Sequence, residues 1–290
     1  MAETILEGTN GRQTVIGPGH PFVIIGERIN PTGREKLGDE FVAGEFSRAQ
    51  TDAIAQVEAG ATVLDINAGI PGKDETGMLC RAIEAVQEVV DVPICIDSST
   101  FECLEPALET VKGKPILNSV TGEDEHLEKV LPLVKRFGAA VIGMAHEDSI
   151  EQDPELRFKA AKKIVQKAED HGIPREDVLI DPLAMPLGGI PQSGEILFSI
   201  CRRIRDELDI NMSCGASNIS FGLPDRHGID AAFLPMLMMV GMFASITNPL
   251  AHHVRRAVLA GDVLLNTDTM SVHWIKYFRE RAAAMADTEG

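Results

Sequence analysis

The stretch Asn211–Pro224, N-M-S-C-G-A-S-N-I-S-F-G-L-P, begins as a buried strand and breaks into Gly215-Ala216-Ser217-Asn218 before a helical segment. A carboxamide beside a glycine at a strand end is placed to reach a bound small molecule. Other apolar runs also end in polar groups: Glu27, Arg28 and Asn30; Asp65 and Asn67; Asp97 and Ser98; Asn118 and Ser119; Asp181; Asn248. Singly, an Asp or Asn at such a position is more often a turn or helix-capping residue. Asp97 before Ser98-Ser99-Thr100 fits a cap, and Asp181-Pro182 fits a turn. Recurrence on six strands argues for a shared pocket. Carboxylates and amides with few Lys or Arg do not suit phosphate. They suit a neutral heterocycle rich in N–H donors, because a carboxylate accepts paired N–H groups while Asn both donates and accepts.

These groups need a scaffold that gathers strand ends. After a hairpin at Thr4–Gly8 and Gln13–Gly17, turned at Asn10-Gly11, the chain alternates short apolar runs with amphipathic ones. Strands are expected at Phe22–Asn30, Ala61–Gly69, Pro93–Ser99, Pro115–Gly122, Ala139–Ala145, Val178–Pro186, Met212–Ser220 and Ala244–Pro249. The intervening helices are expected at Phe46–Ala59, Thr76–Val90, Phe101–Val111, Glu123–Phe137, Asp153–His171, Ser193–Leu208, Asp230–Phe243 and Ala251–Leu265, with a last one at Ser271–Ala286. Ala49, Ile54 and Val57 set the helical period of the first, and Asp153 with Pro154 opens the longest. Strands apolar on both faces are covered on both sides. Eight βα units predict an α/β fold, a (β/α)8 TIM barrel over 22–290, with the N-terminal β-hairpin of 1–21 capping one end and an extra C-terminal helix. A doubly wound sheet would carry a Gly-rich phosphate turn after its first strand, where this chain has Asn30-Pro31-Thr32-Gly33.

Composition narrows the partners. The net charge of -17 and the lack of a basic run argue against nucleic acid and anionic membranes. Five cysteines without a C-x-x-C pair indicate a reducing, cytoplasmic setting. Met1–Asn10 carries two glutamates and no apolar core, so no signal peptide is expected. The apolar run Phe233–Ile246 reads as a buried helix too short to span a bilayer. No metal-binding pattern, nucleophile elbow or Walker loop is present, so no protein-bound metal is expected. His252-His253 reads as exposed, Cys214 as core, and Met236, Met238, Met239 and Met242 as core filling.

Taken in order, IIGERIN (Ile24–Asn30), LDINAG (Leu64–Gly69), CIDSS (Cys95–Ser99), LNS (Leu117–Ser119), IDPL (Ile180–Leu183) and GASNIS (Gly215–Ser220) form a signature. It resembles the pterin-binding methyltransferases that exchange a methyl group between tetrahydrofolate and a corrinoid protein, in the superfamily that includes dihydropteroate synthase. The resemblance implies a homodimeric barrel. It also implies tetrahydrofolate or methyltetrahydrofolate as substrate and, as partner, a corrinoid protein carrying the cobalamin. It implies that Asp97, Asn118 and Asp181 bind the pterin with Gly215, Ser217 and Asn218, and that Asn218 reaches N5; no side chain is an obvious strong acid, so a water held by Asp97 or Asn118 is expected to relay the proton. Asn30, Asp65, Asn67 and Asn248 are further candidates. Phe221 stands where some members have Gln, so one polar contact of those members is missing. The hairpin resembles that of demethylase-system members, which implies transfer from methylcorrinoid to tetrahydrofolate. Two other functions compete: a dihydropteroate synthase-like enzyme, and a non-catalytic pterin or corrinoid accessory protein. The first family carries a Lys in its seventh-strand motif and Arg-x-His at its eighth, where this chain reads SNIS and SITNP.

Overall fold

The computed structural model describes residues 3–150 and 152–288. Strands β1 (Thr4–Glu7) and β2 (Gln13–Ile16) form an antiparallel hairpin; the first two residues of the expected 1–21 segment lie outside the described ones. The barrel strands are β3 (Val23–Ile29), β4 (Val63–Asn67), β5 (Ile94–Asp97), β6 (Ile116–Thr121), β7 (Ala140–Met144), β8 (Val178–Asp181), β9 (Asn211–Met212) and β10 (Ala244–Thr247). They are parallel, in the order β10-β3-β4-β5-β6-β7-β8-β9. A bridge between Gly215 and Ile246, with Ile246 N–H donating to the Cys214 carbonyl at 2.9 Å, joins the two ends. The fold is the expected (β/α)8 barrel, and α10 (Val272–Thr288) is the extra C-terminal helix.

Helices α1 (Glu35–Ala43), α2 (Ser47–Glu58), α3 (Glu75–Gln87), α4 (Phe101–Thr110), α5 (Asp124–Phe137), α6 (Pro154–Asp170), α7 (Ser193–Arg203), α8 (Arg226–Met239) and α9 (His252–Leu264) cover the outside. The outer core lies between them and the outward residues of the strands. Asp153 caps α6, accepting from the Glu155 N–H at 2.8 Å, with Pro154 in the first turn. Helix α5 places Asp124 and Glu125 first and Lys135 and Arg136 last, matching its dipole.

Alternate strand residues face the axis. Val23, Ile25, Val63, Cys95, Ile116, Ala140, Ile142, Leu179 and Ala244 form a separate inner cluster, with Leu6 and Ile16 of the hairpin. The hairpin therefore packs against the inner cluster. Asn211 Nδ2 donates to Thr4 Oγ1 and to the Ile16 carbonyl, both at 2.9 Å. Glu7 and Lys114 exchange backbone hydrogen bonds, and Thr9 and Asn10 bond to Asp91.

Several expectations shift. Helix α1 was not anticipated; Leu37 and Phe41, one turn apart, bury its inner face. In α2 the buried face is Ala49, Ala53 and Gln56, while Ile54 is exposed. The expected strand at Met212–Ser220 is two residues of ladder, Asn211–Met212, followed by a 3-10 turn at Ala216–Asn218. The strand expected to run to Pro186 stops at Asp181, where Leu183 turns the chain with φ of 68°. Helix α8 starts four residues before the expected Asp230, and α7 ends in a single wider turn over Ile204–Leu208. The run Phe233–Ile246, expected as one buried helix, is divided between α8 and β10. Met238 and Met242 are buried, but Met236 and Met239 are 51% and 65% exposed. Apolarity alone does not reveal which side of α8 meets the barrel. Among the described residues no helix is long and apolar enough to cross a membrane.

Candidate active site

The inward alternation carries the strand-end polar groups into the open mouth. Asn67, Asp97 and Asn118 are aligned in register across β4, β5 and β6 and make one rung. Asp65 lies one layer deeper. Asn67 Nδ2 donates to Asp97 Oδ2 at 3.0 Å, and Asn118 Nδ2 to Asp65 Oδ1 at 3.3 Å. Amide and carboxylate thus alternate along this wall, and each amide satisfies a neighbouring acid.

Asp181, Gly215, Ser217 and Asn218 stand on the opposite side, around β8 and β9. Asp181 Oδ1 accepts from the Leu183 N–H at 2.7 Å, and the carboxylate also accepts from the Gly215 N–H. Arg157 of α6, 2% exposed, lies behind it and donates to the carbonyls of Pro182 and Leu183. Ser217 Oγ lies 3.1 and 3.0 Å from the two carboxylate oxygens of Glu27. Asn218 is exposed. Its N–H donates to the Gly215 carbonyl at 3.1 Å, and its side-chain nitrogen lies 2.9 Å from the position a β-carbon on Gly215 would take.

Desolvation dominates the electrostatics of this mouth. Burial raises Asp97 to about 6, against the lowering effect of the Asn67 hydrogen bond. Burial raises Asp181 to about 7, opposed by the Leu183 and Gly215 N–H groups and by Arg157. Asp65 is pushed well above the carboxylate range by burial and then by Asp97. Glu27 is also raised, by burial, with Ser217 acting the other way. Asp97 and Asp181 are thus the acids of this mouth held nearest neutrality, with Asp65 and Glu27 raised beside them.

Of the expected residues, Asp65, Asn67, Asp97, Asn118, Asp181, Gly215, Ser217 and Asn218 converge on this mouth. Asn30 and Asn248 accept from the N–H two residues on, Thr32 at 2.9 Å and Leu250 at 3.0 Å, as Asn67 and Asp181 do from Gly69 and Leu183, but lie outside the rung and its facing wall. Asp97 does not cap the next helix; Ser98 Oγ accepts from the Thr100 N–H at 3.0 Å instead. Sequence reasoning passed over Glu27 as a working residue, although it stands among the strand-end groups. It missed Arg157, which has no signal in sequence because it comes from α6 rather than from a strand end. It also missed Glu75, which accepts from Ser98 Oγ at 2.5 Å and Thr100 Oγ1 at 2.8 Å. Cys214 is buried, 3.7 Å from the Met242 sulfur, and His252 and His253 are exposed, as expected. Among the described residues no group of three or more His, Cys, Asp and Glu is placed to hold a metal ion.

A parallel barrel with carboxylates and carboxamides facing inward at the C-terminal ends of its strands is the (β/α)8 architecture of a TIM barrel. The chain belongs to the pterin binding enzyme family, which matches residues 26–248. It is 32% identical over 266 residues to the methylcorrinoid:tetrahydrofolate methyltransferase of Eubacterium limosum, a match covering 89% of this chain and 97% of that protein. Solved structures of dihydropteroate synthase share the fold. The Stenotrophomonas maltophilia enzyme superposes with a TM-score of 0.68 at 18% identity, covering 89% of this chain and 97% of that one. The Thermus thermophilus enzyme gives 0.66 at 22% identity, covering 89% and 99%.

Proposed function

We propose that this protein is a methyltransferase that moves a methyl group from the cobalt of a methylcorrinoid protein to N5 of tetrahydrofolate. The observation that carries this reading is the Asn67–Asp97–Asn118 rung facing Asp181 across the mouth, in a chain 32% identical to a methyltransferase of that name. Asp181 accepts from the pterin 2-amino and N3–H groups. Asn118 and Asp97 satisfy the neighbouring ring edge. Each buried donor left unpaired would cost about 1–3 kcal/mol.

In the transfer, the N5 lone pair forms the new N–C bond while the Co–C pair stays with cobalt, and N5 then loses its proton. Asn218 holds N5. Its amide oxygen accepts the N5–H and aims the lone pair outward, and in the reverse direction its N–H donates to the leaving nitrogen. Asp97, raised to about 6, takes up the proton through a water at neutral pH. The corrinoid is too large for the pterin pocket and arrives on its partner protein over the mouth. The open C-terminal end beside the exposed Asn218 supports that approach.

The protein works as a cytoplasmic homodimer in this reading. Its five free cysteines support a reducing compartment. Exposed Met236 and Met239, beside Phe198 on neighbouring helices α7 and α8, offer the apolar contact, which analytical ultracentrifugation tests. The mouth does not favour pyrophosphate displacement of the dihydropteroate synthase kind, because the seventh and eighth strand ends present Ser217, Asn218 and Asn248 rather than Lys and Arg-x-His.

Anaerobic mixing with methylcob(III)alamin and tetrahydrofolate tests the activity. Methyltetrahydrofolate should form. Asn218→Ala should slow single-turnover transfer at least tenfold, about 1.4 kcal/mol of barrier, with folate affinity within about threefold. A wild-type protein that binds folate and transfers nothing would be the accessory protein instead.

A further inference from the structure

We propose that Glu27 is a positioning residue for Asn218: it fixes the Gly215–Asn218 turn over the mouth through the Ser217 hydroxyl. The inference rests on the transfer reading only for its kinetic consequence; the anchor itself is geometric.

The turn needs an anchor. Strand β9 is two residues long, and its last ladder contacts are Ser213 N–H to the Ile180 carbonyl at 3.1 Å and the Gly215–Ile246 bridge. Beyond Gly215 no ladder restrains the chain. The local bonds, Asn218 N–H to Gly215 and Ile219 N–H to Ala216, close the turn without fixing it to the barrel. The Leu187 N–H donates to the Ile219 carbonyl at 3.0 Å beyond the turn, and two contacts on Ser217 hold the turn itself, beside Asn218. Its hydroxyl donates to the carboxylate of Glu27, which comes from β3, across β10. Its carbonyl accepts from Arg226 of α8 at 2.7 Å, and Arg226 Nε also reaches Ser220 Oγ at 3.1 Å. The residue next to this doubly held serine is Asn218, which is itself exposed.

Glu27 is suited to this task rather than to touching substrate. Its carboxylate is already engaged by Ser217 and lies among Arg28, Asp65, Asp230 and Arg226. Both of its oxygens lie within hydrogen-bonding distance of one hydroxyl, so a small rotation of Ser217 keeps a bond. A glutamine keeps one acceptor for that hydroxyl, while an alanine removes it.

The test combines Glu27→Ala, Glu27→Gln and Asn218→Ala. Glu27→Ala should lower the single-turnover methyl-transfer rate at least tenfold, with the folate dissociation constant within threefold. Glu27→Gln should return the rate to within threefold of wild type. Glu27→Ala combined with Asn218→Ala should be no slower than Asn218→Ala alone, since both act through one side chain. Hydrogen exchange of the peptide spanning Ser217–Phe221 in the free protein should quicken at least fivefold in Glu27→Ala and not in Glu27→Gln. Equal rates, a fully multiplicative double variant, or unchanged exchange would each overturn the proposal. Faster exchange in a protein whose wild type transfers no methyl group would overturn the transfer reading and keep the anchor. Should Glu27→Ala fail to fold, Ser217→Ala removes the same bond from its other side and should likewise slow transfer and quicken that exchange; unchanged exchange there would overturn the proposal.

Discussion

At the scale of single residues, the mouth trades stability for binding. Asp181 lies where burial holds its proton to about 7, although a pterin needs it as a charged acceptor. The donors of the ligand supply what burial removes, so binding and deprotonation are linked. As pH falls from 8 to 6, folate affinity should weaken, because the protonated acid accepts fewer bonds, and the weakening should vanish in Asp181→Asn. Asp181→Ala should weaken binding at least tenfold at pH 8. A fluorescence titration across this range checks both expectations; unchanged affinity in the alanine variant would remove Asp181 from the pocket.

At the scale of elements, two glycines show how closely the parts meet. A β-carbon on Gly215 would lie 2.9 Å from the Asn218 side-chain nitrogen. Gly215→Ala should therefore displace that amide, lowering the transfer rate more than the melting temperature, as stopped-flow kinetics and calorimetry would show. Gly113 meets the hairpin with φ of 92°, and a β-carbon there would lie 2.1 Å from the Glu7 carbonyl. Gly113→Ala forces both a left-handed alanine and a backbone clash. It should cost more than 1 kcal/mol, roughly the scale of a glycine-specific conformation, measured by urea unfolding, with pterin affinity nearly unchanged because the hairpin lies at the far end. The hairpin itself was legible, since Asn10-Gly11 between two short apolar runs is a local signal. The break at Gly215–Asn218 was legible as well; where the β9 ladder stops, at Met212, was not, because Ser217 is held by Glu27 from another part of the chain.

At the scale of the whole molecule, the inward carboxylates make the free protein prefer protons. Asp181 and Asp97 are raised above their unfolded values, so their contribution to stability is fully present below about pH 4. It is lost as pH rises through about 6 and 7. Asp181→Asn should therefore unfold at higher denaturant than wild type at pH 8, by about 1–3 kcal/mol, within the roughly 4 kcal/mol ceiling of a shift of this size. The gap should close toward pH 4. Paired urea titrations at the two pH values measure it, and a gap that widened on acidification would contradict the assignment.

The sequence alone determined the architecture. Eight apolar runs separated by amphipathic ones, without a Gly-rich turn after the first, point to a closed parallel barrel, and strand alternation sends every second side chain inward, so Asp97, Asn118 and Asp181 reach one mouth once the barrel closes. Local chemistry also settled the caps and the hairpin. Only the tertiary structure decided which strand-end amides work together. Asn30, Asn67 and Asn248 each accept from the N–H two residues on, yet Asn67, like Asn118, also donates its amide to an acid on a neighbouring strand. Only the folded chain joined Glu27 to Ser217, 190 residues apart. The physical reason is that a hydrogen bond depends on distance in space, which periodicity along the chain specifies for neighbours and leaves open for residues that meet only when the barrel shuts.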